Sequence, residues 1–350
     1  PTSVHAEHYS GVVKNLAGLR ALIATLEALQ AKAYTSPDVV KLVAEGMVEL
    51  LAIIQGQKNH QGFTPIKAIA DGLFTEVEDL FARQMMRGIT TGFRSLDRAT
   101  GGLVPGWMYV IAGRPSMAKT QLACEMARRI SIAGHTVGIV SLEDTKTEVA
   151  DRMVCAVANI SQQRLRLDLY QNALTMEARD DFMAAYIKGL EHIYDLPILI
   201  DDGVGQTVAQ IRAKIIAQQQ RGPLAVVFID HLSLAADAGE NDVKRLDRIS
   251  QGIRDCGKEL NIPTVALCQI NRGVESREDR RPRLSDLRGS GSLEQNANVV
   301  MCLYREAYYD PDKRVNQWEQ LELIWLKNKR GATGQSTFLK YNPGTGEIEE

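Results

Sequence analysis

An apolar strand that leads straight into a phosphate-binding loop sets the strongest limit on how this chain folds. Residues 108–112 are apolar, and the residues that follow them are Gly113-Arg114-Pro115-Ser116-Met117-Ala118-Lys119-Thr120, with a helical run beginning at Gln121. Such a loop offers backbone N–H groups and a helix N-terminus to phosphates, while its lysine reaches the β and γ oxygens and its hydroxyl binds Mg²⁺. Residues 113–121 are therefore predicted to bind a nucleoside triphosphate together with Mg²⁺.

One position of the loop departs from the usual pattern G-x-x-x-x-G-K-[ST]. Ala118 stands where the second glycine is expected. A Cβ atom at this position crowds the backbone or penalises a positive φ, although alanine is the smallest such change. The alternative is a loop whose lysine makes only a surface contact, and the partner residues described next favour the nucleotide site.

Short apolar runs alternate with helical stretches over the rest of the chain. The runs that we interpret as strands are 108–112, 137–141, 198–200, 225–229, 264–268, 299–303 and 321–326. This order predicts an α/β fold in which a parallel sheet is covered by helices on both faces. Ligands of such sheets bind at the carboxyl ends of the strands, so polar residues at those ends are candidate site residues.

Three of the predicted strands end in polar side chains. Asp230 is predicted to lie beside Thr120, where it orients Mg²⁺ or its water shell. Glu143 is predicted to activate the water that attacks the γ-phosphate, and the adjacent Asp144 is the competing candidate for this base. Gln269 ends another strand, and its amide is predicted to sense the γ-phosphate.

The N-terminal part of the chain has a different, helical pattern. Apolar residues recur at steps of three and four in two stretches, Val12, Leu16, Leu19, Ile23, Leu26 and Val40, Val43, Met47, Leu50, Ile54. They predict a helical hairpin over residues 1–56. A polar linker follows, and Pro65 begins an amphipathic helix, so residues 57–85 are predicted to be a linker and linker helix ahead of the α/β domain, 86–350.

Composition excludes several classes of protein. The 41 basic and 43 acidic residues leave a net charge of −2, so nucleic-acid binding must come from local clusters. The five cysteines have no zinc-binding spacing and are interpreted as core residues. Neither a signal peptide nor an apolar run of roughly 18 residues is present. We expect a cytoplasmic protein that does not associate with membranes.

Six stretches of this sequence occur in an order and spacing that resemble a known family. They are Thr91–Asp97, Gly113–Thr120, Ser141–Glu143, Asp230–Leu232, Gln269–Arg272 and Ser285–Gln295. Together they resemble the DnaB family of bacterial and phage replicative helicases, over about residues 5 to 340, and the last stretch is the most specific of the six. Family members carry a larger globular lobe ahead of the hairpin, so the resemblance implies a truncated or processed chain.

The resemblance implies a fold, a reaction and a set of partners. The fold is a RecA-like ATPase domain behind a collar hairpin and a subunit-linking helix. The reaction is ATP hydrolysis with Mg²⁺ by a ring-shaped hexamer, which moves along single-stranded DNA, typically 5′ to 3′, and unwinds a fork. Primase and a helicase loader are the protein partners that the resemblance implies.

By the same resemblance, the DNA-binding loop is Arg288-Gly289-Ser290-Gly291. Backbone N–H groups and Arg288 would hold DNA phosphates there, although family members usually have an acidic residue at Gly289. The preceding segment, from Arg272 to Arg288, has six arginines and four acidic residues. It directly follows the predicted γ-phosphate sensor, so a change of nucleotide state can alter the grip on DNA. Solvated or ion-paired arginines are the alternative interpretation.

The last motif, Lys327-Asn328-Lys329-Arg330-Gly331, resembles the family segment that enters the neighbouring subunit's ATP site. Lys327 falls at the family's lysine position, Lys329 where the finger arginine is expected, and Arg330 one residue later. Lys329 and Arg330 are therefore rival candidates for the finger. If the strand continues, alternation places Lys327 and Lys329 on one side and Arg330 on the other. Arg152 resembles a family arginine near the nucleotide.

Two other functions are compatible with this sequence. A RecA-like recombinase or filament-forming ATPase would share the nucleotide site and assemble as an open helix. A catalytically weakened member, in which Ala118 and the missing finger arginine reduce turnover, would act as an ATP-gated DNA clamp.

Overall fold

The computed structural model describes residues 3–35, 65–83, 86–163, 165, 176–239, 241–287 and 290–350, together with isolated positions between 38 and 53. The chain divides into two compact units. The first contains the N-terminal helices and Ala209–Ala217, and the second contains Met86–Val208 and Gln218–Glu350. Within the described residues, no helix combines the length and the apolar character that a membrane span needs.

The first unit contains two long helices, α1 (Ser3–Ala33) and α2 (Ile66–Arg83). The first predicted stripe falls on α1, where Leu16, Leu19, Ile23 and Leu26 are each about half exposed. Three residues of the second predicted stripe, Val43, Met47 and Leu50, are helical, whereas Val40 and Ile54 lie outside the described residues. Lys32 Nζ at the end of α1 is 3.2 Å from Glu49 Oε1. Helix α2 starts directly after Pro65, as the fixed φ of proline favours.

The second unit is an α/β domain. Its longer helices are α3 (Arg94–Thr100), α4 (Lys119–Ile132), α5 (Lys146–Ala158), α6 (Met176–Tyr194), α7 (Val208–Arg221, of which Ala209–Ala217 group with the first unit), α8 (Asp242–Leu260), α9 (Ser290–Asn296) and α10 (Glu306–Tyr309). Its strands are β1 (Met108–Gly113), β2 (Val137–Ser141), β3 (Ile198–Asp201), β4 (Val226–Asp230), β5 (Thr264–Gln269), β6 (Val299–Tyr304), β7 (Glu319–Asn328), β8 (Ser336–Tyr341) and β9 (Ile348–Glu349).

The nine strands form one sheet in the order β3-β2-β4-β5-β1-β6-β7-β8-β9. The six from β3 to β6 are parallel, and β7, β8 and β9 are added antiparallel at one side. The predicted α/β class with a mostly parallel sheet is confirmed. The run 321–326 is part of strand β7, as predicted, but β7 is antiparallel to β6. The beginning of β7 therefore lies at the sheet edge where β6 ends, and the end of β7 lies at the edge where β6 begins.

The core lies on both faces of the parallel strands. All residues of β1 and β6 are buried, because helices cover both sides of a parallel sheet. The bulky side chains Tyr109 and Phe228 are almost completely inaccessible to solvent. All five cysteines are buried and none of them forms a disulfide bond, as predicted for small core residues.

Candidate active site

The loop between β1 and α4 has the conformation of a phosphate cradle. Ser116 and Ala118 both have φ of 64°, in the left-handed region, and helix α4 begins at Lys119 directly after them. Successive residues of this kind turn backbone N–H groups toward a common point and form an anion-binding concavity. The positive φ at Ala118 is the conformation in which a Cβ atom is penalised.

Lys119 points back over this loop. Its Nζ donates a hydrogen bond of 2.9 Å to the main-chain carbonyl of Arg114. Burial lowers the pKa of Lys119, and the negative charges of Asp230 and Glu143 partly offset that effect. A partly buried ammonium beside a loop of this conformation is suited to an anionic ligand.

Thr120 and Asp230 meet at the same edge of the sheet. The Thr120 hydroxyl donates a 2.5 Å hydrogen bond to Asp230 Oδ2. Burial raises the pKa of Asp230 to about 6, against a smaller opposing effect of this hydrogen bond. Hydroxyl and carboxylate oxygens are ligands that suit Mg²⁺, which takes its remaining ligands from phosphate and water. The described residues contain no cluster of three or more acidic, histidine or cysteine side chains able to hold a metal by themselves, so the donor set fits a metal shared with phosphates.

The two rival acids after β2 have different surroundings. Asp144 accepts hydrogen bonds of 3.1 and 2.8 Å from Arg152 Nε and Nη2, so its charge is neutralised. Burial by itself lowers the pKa of Arg152, but the charge and hydrogen bonds of Asp144, together with contributions from Cys124 and Asp230, raise the pKa overall. The side chain of Glu143 is 57% exposed and lies 3.6 Å from His231 Nε2. Of the two carboxylates, Glu143 is the one available to a ligand.

Most of these residues line a single cavity of about 560 Å³, and Asp230 contacts one of the lining residues, Thr120. Its walls are formed by Pro115, Ser116, Ala118, Lys119, Thr120, Gln121, Glu143, Asp144, Arg152, Gln162, His231, Gln269, Arg305, Tyr308, Tyr341 and Pro343. Gln269 reaches it because β5 pairs with β1 in a register that sets Gln269 opposite Gly113. The structure thus brings together the loop, Asp230, Glu143, Gln269 and Arg152, which the sequence predicted separately.

Several lining residues were missed by the sequence analysis. Arg305 and Tyr308 follow β6, and Tyr341 and Pro343 follow or end β8. The rule that ligands bind at carboxyl ends of parallel strands would have pointed to Arg305, because it directly follows β6. Tyr341 carried no such signal, since it reaches the site through an antiparallel strand.

Comparison with known proteins agrees with this geometry. Residues 88–349 match the family model described as the DnaB-like helicase C terminal domain. The replicative DNA helicase DnaC of Bacillus subtilis is 34% identical over 340 residues, which are 95% of this chain and 72% of that protein. DnaB of Geobacillus stearothermophilus is 33% identical, over 98% of this chain and 75% of its own. The chain belongs to the DnaB-like replicative DNA helicases. It is an ATP-hydrolysing helicase, as the resemblance implied.

Two solved structures support the assignment of this helicase. A structure described as an ATPase domain superposes with a TM-score of 0.74 at 30% identity, covering 83% of this chain and 99% of that domain. A DnaB-like replicative helicase, studied with its interactions with primase, superposes with a TM-score of 0.79 at 28% identity, covering 99% of this chain and 78% of that one.

The predicted finger residues of the helicase do not reach the cavity of their own chain. Lys327 pairs with Val300, near the amino end of β6, so the carboxyl end of β7 lies at the edge opposite the phosphate loop. Lys327 Nζ donates to the Glu294 carbonyl. The guanidinium of Arg330 lies 5.0 Å from the ring centroid of Trp107. Strand β7 ends at Asn328, so the alternation expected for a continuing strand does not extend to Lys329 and Arg330.

The predicted DNA loop is only partly described. Arg288 and Gly289 lie outside the described residues, whereas Ser290 and Gly291 form the start of α9. Upstream, Arg277 Nη2 is 2.6 Å from Asp286, and Arg281 Nε is 3.1 Å from Glu322. These two arginines are therefore held in ion pairs within the chain.

Proposed function

We propose that this helicase works as a ring-shaped hexamer that hydrolyses ATP with Mg²⁺ at its subunit interfaces and moves 5′ to 3′ along single-stranded DNA. The observation that carries the proposal is the separation between the phosphate loop and the candidate finger residues of the same chain. The phosphate loop lies at one edge of the sheet and Lys327 to Arg330 at the other. This position supports a role for these residues at the ATP site of a neighbouring protomer, and a closed ring allows that arrangement for every copy.

Each residue of the cavity has a distinct proposed role. Residues 113–121 bind the phosphates through main-chain N–H groups, and Lys119 neutralises the β and γ oxygens. Thr120 and Asp230 would hold Mg²⁺, which supplies charge neutralisation and a fixed geometry for the phosphates when bound. Glu143 orients and deprotonates the attacking water, and Arg152 keeps Asp144 out of that reaction. Lys327 with either Lys329 or Arg330 stabilises transition-state charge in the neighbouring site.

The coupling to DNA follows from chain connectivity. Gln269 is proposed to sense the γ-phosphate, and the segment that it leads into ends at Arg288, Gly289, Ser290 and Gly291, the proposed DNA contact. Loss of the γ-phosphate then changes the position of this segment and its grip on DNA phosphates. Residues 1–56 are proposed as the collar hairpin, 57–85 as the linker and 86–350 as the motor. Primase is a proposed partner, because a structural neighbour of 28% identity was solved in a study of its interactions with primase.

Mixing two inactive variants tests the shared site. Lys119→Ala removes the loop lysine but keeps the finger segment, and Lys329→Ala/Arg330→Ala removes both finger candidates but keeps the loop. Each variant alone should lack DNA-stimulated ATPase activity. In an equal mixture that exchanges subunits, about a quarter of the interfaces should pair an intact loop with an intact finger, so activity should return.

The control is a mixture of Lys119→Ala with Lys119→Ala/Lys329→Ala/Arg330→Ala, which contains no intact loop and should stay inactive. Persistent inactivity of the first mixture, with exchange verified by co-purification of differently tagged copies, would refute a site shared between subunits. Strand polarity is tested separately by unwinding of duplexes that carry a single 5′ or a single 3′ tail. Wild-type protein should unwind only the 5′-tailed duplex, and Glu143→Gln should unwind neither.

A further inference from the structure

A buried ion pair lies directly beside the phosphate loop. Arg305, the residue after β6, has a side chain only 6% exposed, and its partner Glu319, the first residue of β7, has a side chain that is fully buried. Arg305 Nε and Nη2 are 2.9 and 2.5 Å from Glu319 Oε2. The pair exists because β7 runs antiparallel to β6, which brings the beginning of one strand beside the end of the other. A buried pair of this kind fixes both side chains in one orientation.

The same guanidinium makes cation–π contacts with two tyrosine rings. The Arg305 guanidinium carbon is 4.7 Å from the ring centroid of Tyr341 and 5.8 Å from that of Tyr308. Both distances are within the range at which a cation is attracted to an aromatic face. The arginine is thus held by Glu319 and by both rings, and it has little freedom to adopt another rotamer.

The remaining nitrogen of this arginine contacts the loop. Arg305 Nη1 donates to the main-chain carbonyl of Ser116. Ser116 is solvent-exposed and has φ of 64°, a backbone conformation that is unfavourable for a residue with a Cβ atom. The contact stabilises this carbonyl orientation and with it the backbone conformation of the loop.

We propose that Arg305 is a positioning residue that holds the phosphate loop in its binding conformation, with Glu319 fixing its guanidinium. The inference rests on the proposed nucleotide site. Arg305 donates from each of its three nitrogens to a protein oxygen, and its bond to Ser116 is the contact through which it acts on the loop. Its loss should therefore weaken nucleotide binding more than it slows turnover at saturating ATP.

The test is the dissociation constant for ADP with Mg²⁺, together with KM and kcat for ATP, in the full chain. The main variant is Arg305→Gln/Glu319→Gln, because removing both charges avoids an unpaired buried carboxylate. It should bind ADP about tenfold more weakly, with a smaller change in kcat. Glu319→Gln alone keeps the arginine but loosens its anchor, and it should bind about threefold more weakly. Arg305→Lys keeps a donor for the Ser116 carbonyl and should bind more tightly than the double variant.

Arg314→Gln is the matched control. Arg314 Nε is 2.9 Å from the other oxygen of Glu319, Oε1, so it shares the carboxylate without contacting the loop. Its ADP affinity should stay within about twofold of wild type. Wild-type affinity in the double variant, or in Glu319→Gln if only that variant folds, would overturn the inference. Lys119→Ala separates the two hypotheses, because unchanged ADP binding in that variant would refute the nucleotide site itself.

Discussion

Asp230 shows at the scale of one residue how the fold prepares a metal-binding carboxylate. Its side chain ends β4, is 6% exposed, and accepts a hydrogen bond from Thr120. Burial raises its pKa to about 6, and the nearby Glu143 raises it further than Lys119 lowers it. Burial makes the ionised carboxylate unfavourable on its own, and a bound divalent cation would stabilise it. The burial of Asp230 therefore favours metal binding at this residue.

The first prediction concerns stability in the absence of metal and nucleotide. The folded-state pKa of Asp230, about 6, lies above its ordinary value of 3.8, so between these values the folded state binds more protons than the unfolded state. Stability therefore falls as pH rises through this window, by up to about 3 kcal/mol. Urea unfolding in EDTA from about pH 4 to pH 7 measures it. Asp230→Asn should lack this component, and identical pH dependence in both proteins would contradict the assignment.

The sequence correctly predicted the location of those candidate site residues whose positions are set by the strands that carry them. Lys119, Thr120, Asp230 and Gln269 end or follow parallel strands, and parallel strands place their carboxyl ends at one edge. The same rule applies to Arg305, which directly follows β6, but its orientation toward the loop depends on Glu319, which begins a strand whose direction the apolar pattern of 321–326 does not encode.

At the scale of elements, the turn after β8 forms one wall of the cavity. Gly346 has φ of 86°, and a Cβ atom on it would come within 2.6 Å of the Gln121 and Gln162 side chains. Gln121 is buried in the first turn of α4, and Gln162 Nε2 lies 3.3 Å from Gln121 Oε1. The turn therefore packs against the helix that begins at the phosphate loop.

Replacing this glycine tests the contact between the turn and the helix. Gly346→Ala should lower the free energy of unfolding by about 2 kcal/mol, partly from the positive φ and partly from displaced glutamines, and should raise KM for ATP. Gly134→Ala is the control, because Gly134 has φ of 87° and nothing within 4 Å of its virtual Cβ atom. It should cost only about 1 kcal/mol and leave KM unchanged. Equal effects of the two substitutions, measured by urea unfolding and steady-state kinetics, would exclude a role for the turn.

Strand β8, which precedes this turn, was not predicted from the sequence, whereas the parallel strands were. The parallel strands were predicted to within one or two residues, because strands buried on both faces are continuous apolar runs. Strand β8 has only one covered face: Leu339 is 2% exposed and its neighbour Phe338 is 50% exposed. Six residues of alternating pattern are a weak signal, and their pairing with β7 depends on a hairpin that the composition of residues 329–335 does not specify.

At the scale of the whole molecule, helix α2 carries an exposed apolar face. Leu73 and Val77 are 42% and 46% exposed, and Phe81 is 81% exposed. These side chains lie at steps of four, so they share one side of the helix. Exposed apolar stripes of this kind mark an interface with another molecule. In the proposed ring the occupant is a second copy of this chain, reached by the linker helix.

Val77→Glu tests whether this face joins subunits. Burying a valine contributes about 1.5 kcal/mol or more, and a charge in its place adds a desolvation cost, so the concentration at which the ring half-assembles should rise by about tenfold or more. Val204→Glu makes the same chemical change at a site 99% exposed in the α/β domain, and it should leave assembly unchanged. Sedimentation velocity with ADP and Mg²⁺ measures both variants. A Val77→Glu protein that assembles at wild-type concentrations would place α2 outside the interface, and the motor domains would then have to hold the ring together by themselves.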